Sequence, residues 1–216
     1  MMLSRSARRV GAGAVAVVAA MALTAVPAGA TPLGQTSLGE VDVTKSGHAV
    51  TVPPIAPCDV TADQQNSSKG THAYGVATFG AGTTTCTKDA GAKTAKMQAS
   101  GDSFDLTALV AYGGPEIRLS SYSASCAATA TSTTANYEFH GLQGVTPPKP
   151  IPVNYTTTVG PADHPQARLT FNEVIQADPN DGSVTINMLR IELFPDGDGP
   201  MSGEVIVGHA ACSPVS

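Results

Sequence analysis

The sequence predicts an all-β fold, an antiparallel β-sandwich that forms a single domain with little or no helix. Short runs rich in Val, Ile, Thr and Tyr alternate with clusters of Gly, Pro, Asn and Asp, which is the pattern of short strands joined by turns. No stretch repeats apolar residues at the i, i+3, i+4 and i+7 spacing of an amphipathic helix. The four cysteines are an even set, as in exported β domains held by disulfides.

The first 30 residues have the three parts of an export signal. Arg5, Arg8 and Arg9 form a basic start, a small apolar stretch follows, and the segment ends in Ala-Gly-Ala at Ala30. The apolar stretch is too short, and too rich in Gly and Pro at its ends, for a good membrane span. We therefore expect residues 1–30 to be a signal peptide cleaved after Ala30. The remaining protein is expected to be secreted, with no membrane contact after cleavage, and the Sec route is favoured over the twin-arginine route.

The exported part is acidic. Three of the 12 basic residues leave with the signal and none of the 17 acidic residues do, so the net charge changes from −5 to −8. An acidic surface repels phosphate, which argues against nucleic acid and anionic membranes as partners. The exported length suits one domain.

Within the exported part, residues 31–47 are expected to be a flexible lead-in, although their LGEVDV segment is also compatible with an edge strand. Residues 48–216 are expected to form the sandwich. The predicted strands are His48–Val52, Thr71–Phe79, Lys93–Ala99, Phe104–Tyr112, Glu116–Thr129, Tyr137–Leu142, Val153–Val159, Ala167–Ala177, Ser183–Phe194 and Glu204–Cys212.

The clearest unit is a predicted hairpin over Ala167–Phe194. Its turn, residues 178–182, contains Pro179, which fixes φ, and Gly182, which is free to take a positive φ. In the return strand the apolar positions change parity between Met188 and Leu189. Either both faces of the strand are buried there, or a β-bulge moves its apolar side chains from one face to the other. Both options place this strand at the centre of the sandwich.

Residues 147–152, PPKPIP, cannot join a ladder because proline lacks the donor N–H. Too few residues follow to build a separate domain, so a domain linker is disfavoured. We expect this segment to be an extended crossover between two sheets.

Two disulfides are expected, because Cys58, Cys86, Cys126 and Cys212 all lie in the exported part. Three pairings are possible. We favour Cys58 with Cys86, which closes a local loop, and Cys126 with Cys212, which ties the last strand to a central one. On the chain-entropy model these bonds stabilise by roughly 3.5 and 4.5 kcal/mol. A zinc site is disfavoured, since the chain has no CxxC pair and no histidine at ligand spacing.

Over Thr71–Cys212 the chain resembles the choice-of-anchor P family of secreted actinobacterial proteins. The similar segments are PPKPIPVNYT, LTFNEVIQ, GSVTINMLRIEL and EVIVGHAAC, and more loosely ATFGAG and SYSASCAATA. The resemblance implies an exported β domain without assigned catalytic residues, in which Cys126 and Cys212 lie on neighbouring strands. Members differ in the C-terminal device that tethers them, and this sequence shows no evident anchor, so surface retention is open.

Two weak catalytic patterns occur. Gly-Asp-Ser at Ser103 is similar to an esterase nucleophile block, but the expected Asp-x-x-His is missing and Asp163 adjoins His164 directly. A β-turn is the favoured interpretation of this motif. Glu138 and Glu173 are the remaining pair of carboxylates to consider for glycoside cleavage, and nothing in the sequence brings them together.

Two oxygen-rich turns are weak calcium candidates: Asp178 and Asp181 with Asn180, and Asp196 and Asp198 with Glu204. Neither run matches a complete calcium loop, so ordinary turn chemistry is favoured and no metal or other cofactor is expected. The five histidines are scattered singly. Of these, His140 and His209 are expected on strands, as hydrogen-bonded structural residues.

Together these observations favour a secreted, non-enzymatic protein with a structural or binding role, free or loosely associated with the cell wall. Its partner would be a cell-envelope polymer or another extracellular protein. The alternative is a secreted, esterase-like hydrolase, for which Ser103 and Glu138 are the starting residues. An inhibitor or toxin-like ligand of another protein is a third hypothesis.

Overall fold

The computed structural model describes residues 34–62 and 64–215, so the predicted signal and its cleavage site at Ala30 lie outside the described residues. The strands are β1 (Gly34–Lys45), β2 (His48–Val52), β3 (Cys58–Asp59), β4 (Gln65–Ser68), β5 (Thr71–Ala73), β6 (Ala77–Phe79), β7 (Gly82–Asp89), β8 (Thr94–Gly101), β9 (Phe104–Leu106), β10 (Ile117–Leu119), β11 (Ser121–Ala128), β12 (Thr133–His140), β13 (Tyr155–Val159), β14 (Ala167–Gln176), β15 (Val184–Leu193) and β16 (Met201–Cys212). Helical structure in the described ranges is limited to one 3₁₀ turn at Val110–Tyr112. The predicted all-β fold is confirmed.

The strands form three antiparallel sheets. The main sheet has the order β13-β14-β15-β16-β1-β2, with β3 also paired to β1. The facing sheet has the order β12-β11-β8-β7-β4, and a small sheet has the order β10-β9-β6-β5. Strands β1, β15 and β16 of the main sheet pack against β7, β8, β11 and β12 of the facing sheet, as in a β-sandwich.

Alternating side chains build the core between the two large sheets. On β11, Tyr122, Ala124, Cys126 and Ala128 are buried, while the serines between them are less covered. This period of two is what a strand with one buried face requires. Across the core, Phe139 of β12 contacts Phe171 of β14, with ring centroids 6.0 Å apart.

The small sheet is continuous with the facing sheet, since the chain passes between them four times. The passages follow β4, β6, β8 and β10. At the last one Ser120 leaves the ladder and donates its N–H to the carbonyl of His140, so the predicted strand Glu116–Thr129 is two strands, β10 and β11. The small sheet covers another part of the main sheet, where the ring of Phe79 lies against Gly39.

A row of irregular residues crosses the main sheet at Met188. Its neighbours Asn172 on β14 and Gly208 on β16 have φ of 50° and 67°. The register with both neighbouring strands is unchanged across this row, so no strand gains a residue. The change of face expected near Met188 therefore occurs without the inserted residue of a bulge. As a result Met188 and Leu189 are both fully buried.

The expected flexible lead-in over 31–47 is wrong for residues 34–45. These form β1, a 12-residue strand paired with β16 on one side and with β2 and β3 on the other. Its Leu38, Val41 and Val43 are at most 1% exposed. The domain therefore includes residues before His48, and LGEVDV lies in an interior strand rather than at an edge.

Other local predictions hold. The Ala167–Phe194 hairpin forms from β14 and β15, and Gly182 in its turn has φ of 83°. The proline-rich segment joins β12, at one edge of the facing sheet, to β13, at one edge of the main sheet, so it is a crossover between sheets. Strands β3, β4 and β7 are not predicted from the sequence. The predicted strand Phe104–Tyr112 is too long, because β9 ends at Leu106 and Val110–Tyr112 form the 3₁₀ turn.

Both disulfides of the favoured pairing are present. Cys58 is bonded to Cys86, and Cys126 to Cys212, with Cα atoms 6.0 Å apart in each case. The second bond joins β11 of the facing sheet to β16 of the main sheet. The two strands are thus neighbours across the core rather than within one ladder.

Candidate functional site

A cavity of about 350 Å³ opens beside β1 and β16. It forms because the chain leaves β2 after Val52 and then runs along β1. There the N–H of Leu38 donates to the carbonyl of Ile55, and the N–H of Ile55 donates to the carbonyl of Gly39, both at 2.9 Å. The cavity wall is completed by Pro54 and Pro57 from this segment, by Cys58 and Asp59, and by Gln35, Thr36, Ser37, Glu40 and His209.

Four polar side chains lie in one row across the outer face of the main sheet. Ser37 on β1 is opposite His209 on β16, His209 is opposite Asn187 on β15, and Asn187 is opposite Glu173 on β14. Residues directly opposite in an antiparallel ladder share a face and have Cβ atoms about 4.5–5.5 Å apart. The row therefore runs from the cavity towards the middle of the sheet.

Hydrogen bonds fix the orientation of this row. The Asn187 side-chain N–H donates to Glu173 Oε2 at 2.6 Å, which turns the amide oxygen of Asn187 towards His209. His209 Nδ1 lies 2.8 Å from that oxygen. Because an amide oxygen only accepts, Nδ1 carries the proton, and Nε2 is left as an acceptor when the ring is neutral. Burial lowers the pKa of His209 below 6.5, so the ring is neutral at pH 7.

Next to this row lies a network of charges centred on Arg190. Its guanidinium is 2.8 Å from Glu192, 2.8 Å from Glu204 and 3.4 Å from Glu173. Arg168 also reaches Glu192, at 2.8 Å. These ion pairs hold Glu173 and hence the Asn187 amide, and they line a shallow groove of about 450 Å³ over the β15–β16 end of the sheet.

Glu40 is the acidic group of the cavity with a shifted pKa. Desolvation raises the pKa of its carboxyl above 4.5, and the negative charges of Glu204 and Asp42 raise it further. The cavity thus combines a serine hydroxyl, an imidazole acceptor and a carboxyl group that gains a proton more readily than usual.

Ser103 is not brought together with a histidine and an acid. It lies between β8 and β9, where its carbonyl accepts the N–H of Gly80, and no hydrogen bond joins its side chain to a histidine within the described ranges. His164 lies in the loop between β13 and β14 and pairs with Asp198 at 2.8 Å. This contact raises the pKa of the fully exposed His164.

Glu138 and Glu173 do not form a carboxylate pair. Glu138 is 70% exposed on β12 of the facing sheet and pairs with His140 at 3.1 Å. Glu173 lies on the outer face of the main sheet and contacts Asn187. The two sheets separate them, so the arrangement needed for glycoside cleavage is absent at these two residues.

The calcium candidates fall at opposite ends of β15. Asp178 and Asp181 precede this ten-residue strand, and Asp196 and Asp198 follow it. Asp181 accepts the N–H of Ser183, as a turn residue does. Hydrogen bonding from the Ser183 hydroxyl, and then from its N–H, lowers the pKa of Asp181. In the described part of the chain, no group of three or more His, Cys, Asp or Glu side chains is placed to hold a metal ion.

Sequence reasoning identifies His209 as a hydrogen-bonded residue on a strand, which is confirmed, but misses its partners. Ser37, Asn187 and Glu40 belong to no motif. They meet His209 only through the pairing of β1 and β15 with β16. The serine and the glutamate lie in the segment expected to be a lead-in.

Comparisons with protein-family models, with curated proteins and with solved structures find no match to this chain. Among the described residues, no helix is long and apolar enough to span a membrane. The resemblance to the choice-of-anchor P family therefore stays a prediction.

Proposed function

We propose that this protein is exported and acts outside the cell as a binding protein of the cell envelope. The observation that carries the proposal is the cavity on the outer face of the main sheet, lined by polar groups that include Ser37, Glu40 and His209. Two disulfides fit an extracellular setting, because such bonds persist in oxidising compartments.

The cavity suits an uncharged polar group such as the hydroxyl-bearing end of a polysaccharide. Gln35 and Ser37 offer donors, and His209 Nε2 offers an acceptor. Pro54 and Pro57 supply apolar walls, as in small-ligand sites that combine apolar surface with a few polar groups. The acidic residues Glu40 and Asp59 on its wall disfavour anionic ligands.

The test is co-sedimentation of the oxidised protein lacking residues 1–30 with insoluble peptidoglycan, chitin and whole cell walls, each with and without calcium. We expect saturable pelleting with at least one polymer, independent of calcium. The double variant Gln35→Ala, Glu40→Ala should weaken pelleting at least about tenfold, since two cavity groups that contact the ligand are removed.

The matched control is Glu138→Ala, His140→Ala, which removes two polar side chains from the outer face of the facing sheet. This variant should pellet like the wild type. If the wild type stays in the supernatant with every polymer, envelope binding is the wrong function. If the control variant loses pelleting and the cavity variant does not, the binding surface lies on the facing sheet.

A secreted hydrolase is the second candidate function. The observation that favours it is the contact of His209 with Asn187, next to Ser37 on the neighbouring strand. The Ser103 motif does not support this function.

A further inference from the structure

Ser37 contributes a hydroxyl to the wall of the cavity. The residue is 4% exposed, and no side-chain hydrogen bond joins its Oγ to another group in the part of the chain that the structure describes. A hydroxyl that faces a cavity and makes no bond within the protein is available to a ligand. Its cross-strand neighbour on the same face is His209.

His209 has the form that a general base needs. Its Nδ1–H is held by Asn187 Oδ1 at 2.8 Å, and Asn187 is in turn held by Glu173 at 2.6 Å. Nε2 is therefore the free nitrogen of the ring, and it belongs to a side chain that lines the same cavity as Ser37. A nucleophile beside a base that a third group orients is the arrangement of serine hydrolases.

We propose that Ser37 is the nucleophile, His209 the general base and Asn187 the positioning residue of an ester-hydrolysing site in this cavity. No hydrogen bond joins Ser37 to His209 in the described part of the chain, and contacts between a nucleophile and its base often tighten only when substrate binds. The activity goes beyond polymer binding, because its substrate need not be polymeric.

The reaction has two balanced steps. Ser37 Oγ attacks the ester carbonyl carbon while its proton passes to His209 Nε2, and the departing alkoxide takes that proton and leaves as an alcohol. Water then gives a proton to Nε2 and attacks the acyl group on Ser37, and the Ser37 oxygen recovers the proton as the carboxylic acid leaves. One ester and one water give one alcohol and one acid.

The cavity selects small, uncharged acyl groups. Its volume of about 350 Å³ is at the lower end of small-ligand sites, and its prolines give apolar contact. The Gln35 amide is a neutral donor on the wall. We assign it to the developing oxyanion, a role that side-chain amides fill in other acyl-transfer sites. Glu40 and Asp59 on the wall disfavour a carboxylate near the reacting carbon.

The first experiment uses p-nitrophenyl acetate and a fluorophosphonate probe on the oxidised protein lacking residues 1–30. We expect hydrolysis and stoichiometric labelling, with the label mapped to Ser37 by peptide mass spectrometry. Ser37→Ala should lower kcat at least about 100-fold and abolish labelling. The control Ser103→Ala should keep both. Mapping of the label on the wild type tests Ser37 even if its alanine variant folds poorly.

The role of Asn187 is tested by the split between kcat and KM. Asn187→Ala should lower kcat about tenfold or more with little change in KM, because it frees the ring of His209 without touching substrate. The rate of the wild type should fall at low pH as His209 gains its proton. The charged groups that face this ring or its partners are Glu173, Arg190, Glu40 and Asp59. Because Glu40 also titrates, the pH–rate profile of the wild type is compared with that of Glu40→Gln.

Three results would overturn the proposal: no hydrolysis or labelling by the wild type, a label on a serine other than Ser37, or a Ser37→Ala variant that keeps the wild-type rate. Pelleting with envelope polymers is measured on the same Ser37→Ala preparation. Loss of hydrolysis with pelleting retained supports the catalytic assignment independently of polymer binding.

Discussion

The ring of Tyr122 on β11 occupies the space that a side chain at Gly101 would need. The two residues are direct partners in the β8–β11 ladder, and a Cβ added to Gly101 would overlap the far end of the tyrosine ring. The same ring reaches across the core to within van der Waals distance of a Cβ added to Gly208 on the main sheet. Two glycines thus make room for one large side chain between the sheets.

Gly101→Ala should destabilise the fold, because the tyrosine ring is buried and must be displaced within the core to admit the new methyl group. Inserting a methyl group into a packed core costs about 1–3 kcal/mol, which corresponds to a fall in Tm of about 3–10 °C for a domain of this size. Thermal unfolding by circular dichroism measures the change. Gly91→Ala is the control, since its new Cβ would meet only Asp89 Oδ1, at 3.4 Å. Equal Tm values for the two variants would contradict the packing.

Tyr122→Phe should be neutral or stabilising. The residue is 3% exposed, and its hydroxyl is unsatisfied because it has no hydrogen-bond partner among the described residues. Burial also raises the pKa of this hydroxyl. Removing such a group recovers about 1 kcal/mol, and Tm should rise by about 2–4 °C. Tyr137→Phe, at a half-buried ring, should leave Tm unchanged. A lower Tm for Tyr122→Phe would show that the hydroxyl has a partner, such as a bound water.

Local patterns were sufficient for the parts of the fold whose contacts are close in sequence. The hairpin of β14 and β15 could be predicted from alternation and a turn with Gly182, and the crossover from its prolines. β1 could not, because the facing sheet and the small sheet bury one face of this strand while the other face carries Ser37 and Glu40 around a cavity. Its polar residues resemble those of a flexible segment until the pairing with β16 is known.

The candidate site was even less accessible to sequence reasoning. Ser37 and His209 are separated by most of the chain, and only the antiparallel register of the first and last strands makes them neighbours. By contrast, Asp163 and His164 are adjacent in sequence, but the fold directs His164 to Asp198. Spacing in the sequence singles out Ser103, which the fold does not bring to a histidine, since spacing carries no information about strand order.

Glu40→Gln should stabilise the protein at neutral pH. The folded-state pKa of Glu40 is raised, so its stabilising contribution is fully present below pH 4.5 and is lost as pH rises through the folded pKa. Glutamine cannot ionise and avoids that loss. Because the side chain is only half-buried, solvent screening limits the gain to a few tenths of a kcal/mol, or about 1 °C in Tm at pH 7.

The pH dependence separates this effect from a change in packing. Thermal unfolding of Glu40→Gln and wild type should differ at pH 7 and converge at pH 3.5, where Glu40 is protonated in both states of the wild type. Glu138→Gln, at an exposed position, should match the wild type at both pH values. A Glu40→Gln variant that is less stable at pH 7 would mean that the ionised carboxylate is favourably bound in the fold.

The two disulfides should differ in their contribution to stability because they close loops of different length. The bonded cysteines are 86 residues apart for Cys126–Cys212 and 28 residues apart for Cys58–Cys86. On the chain-entropy model the longer loop contributes about 4.5 kcal/mol and the shorter about 3.5 kcal/mol.

The double variants Cys126→Ala, Cys212→Ala and Cys58→Ala, Cys86→Ala should therefore both have lower urea midpoints than the wild type. The first should also unfold at the lower urea concentration, because it loses the disulfide that links β11 to β16 as well as the longer loop constraint. If removing Cys58–Cys86 is the more damaging change, that bond stabilises mainly by holding β3 and the cavity wall in the folded state, and loop entropy is not the dominant effect.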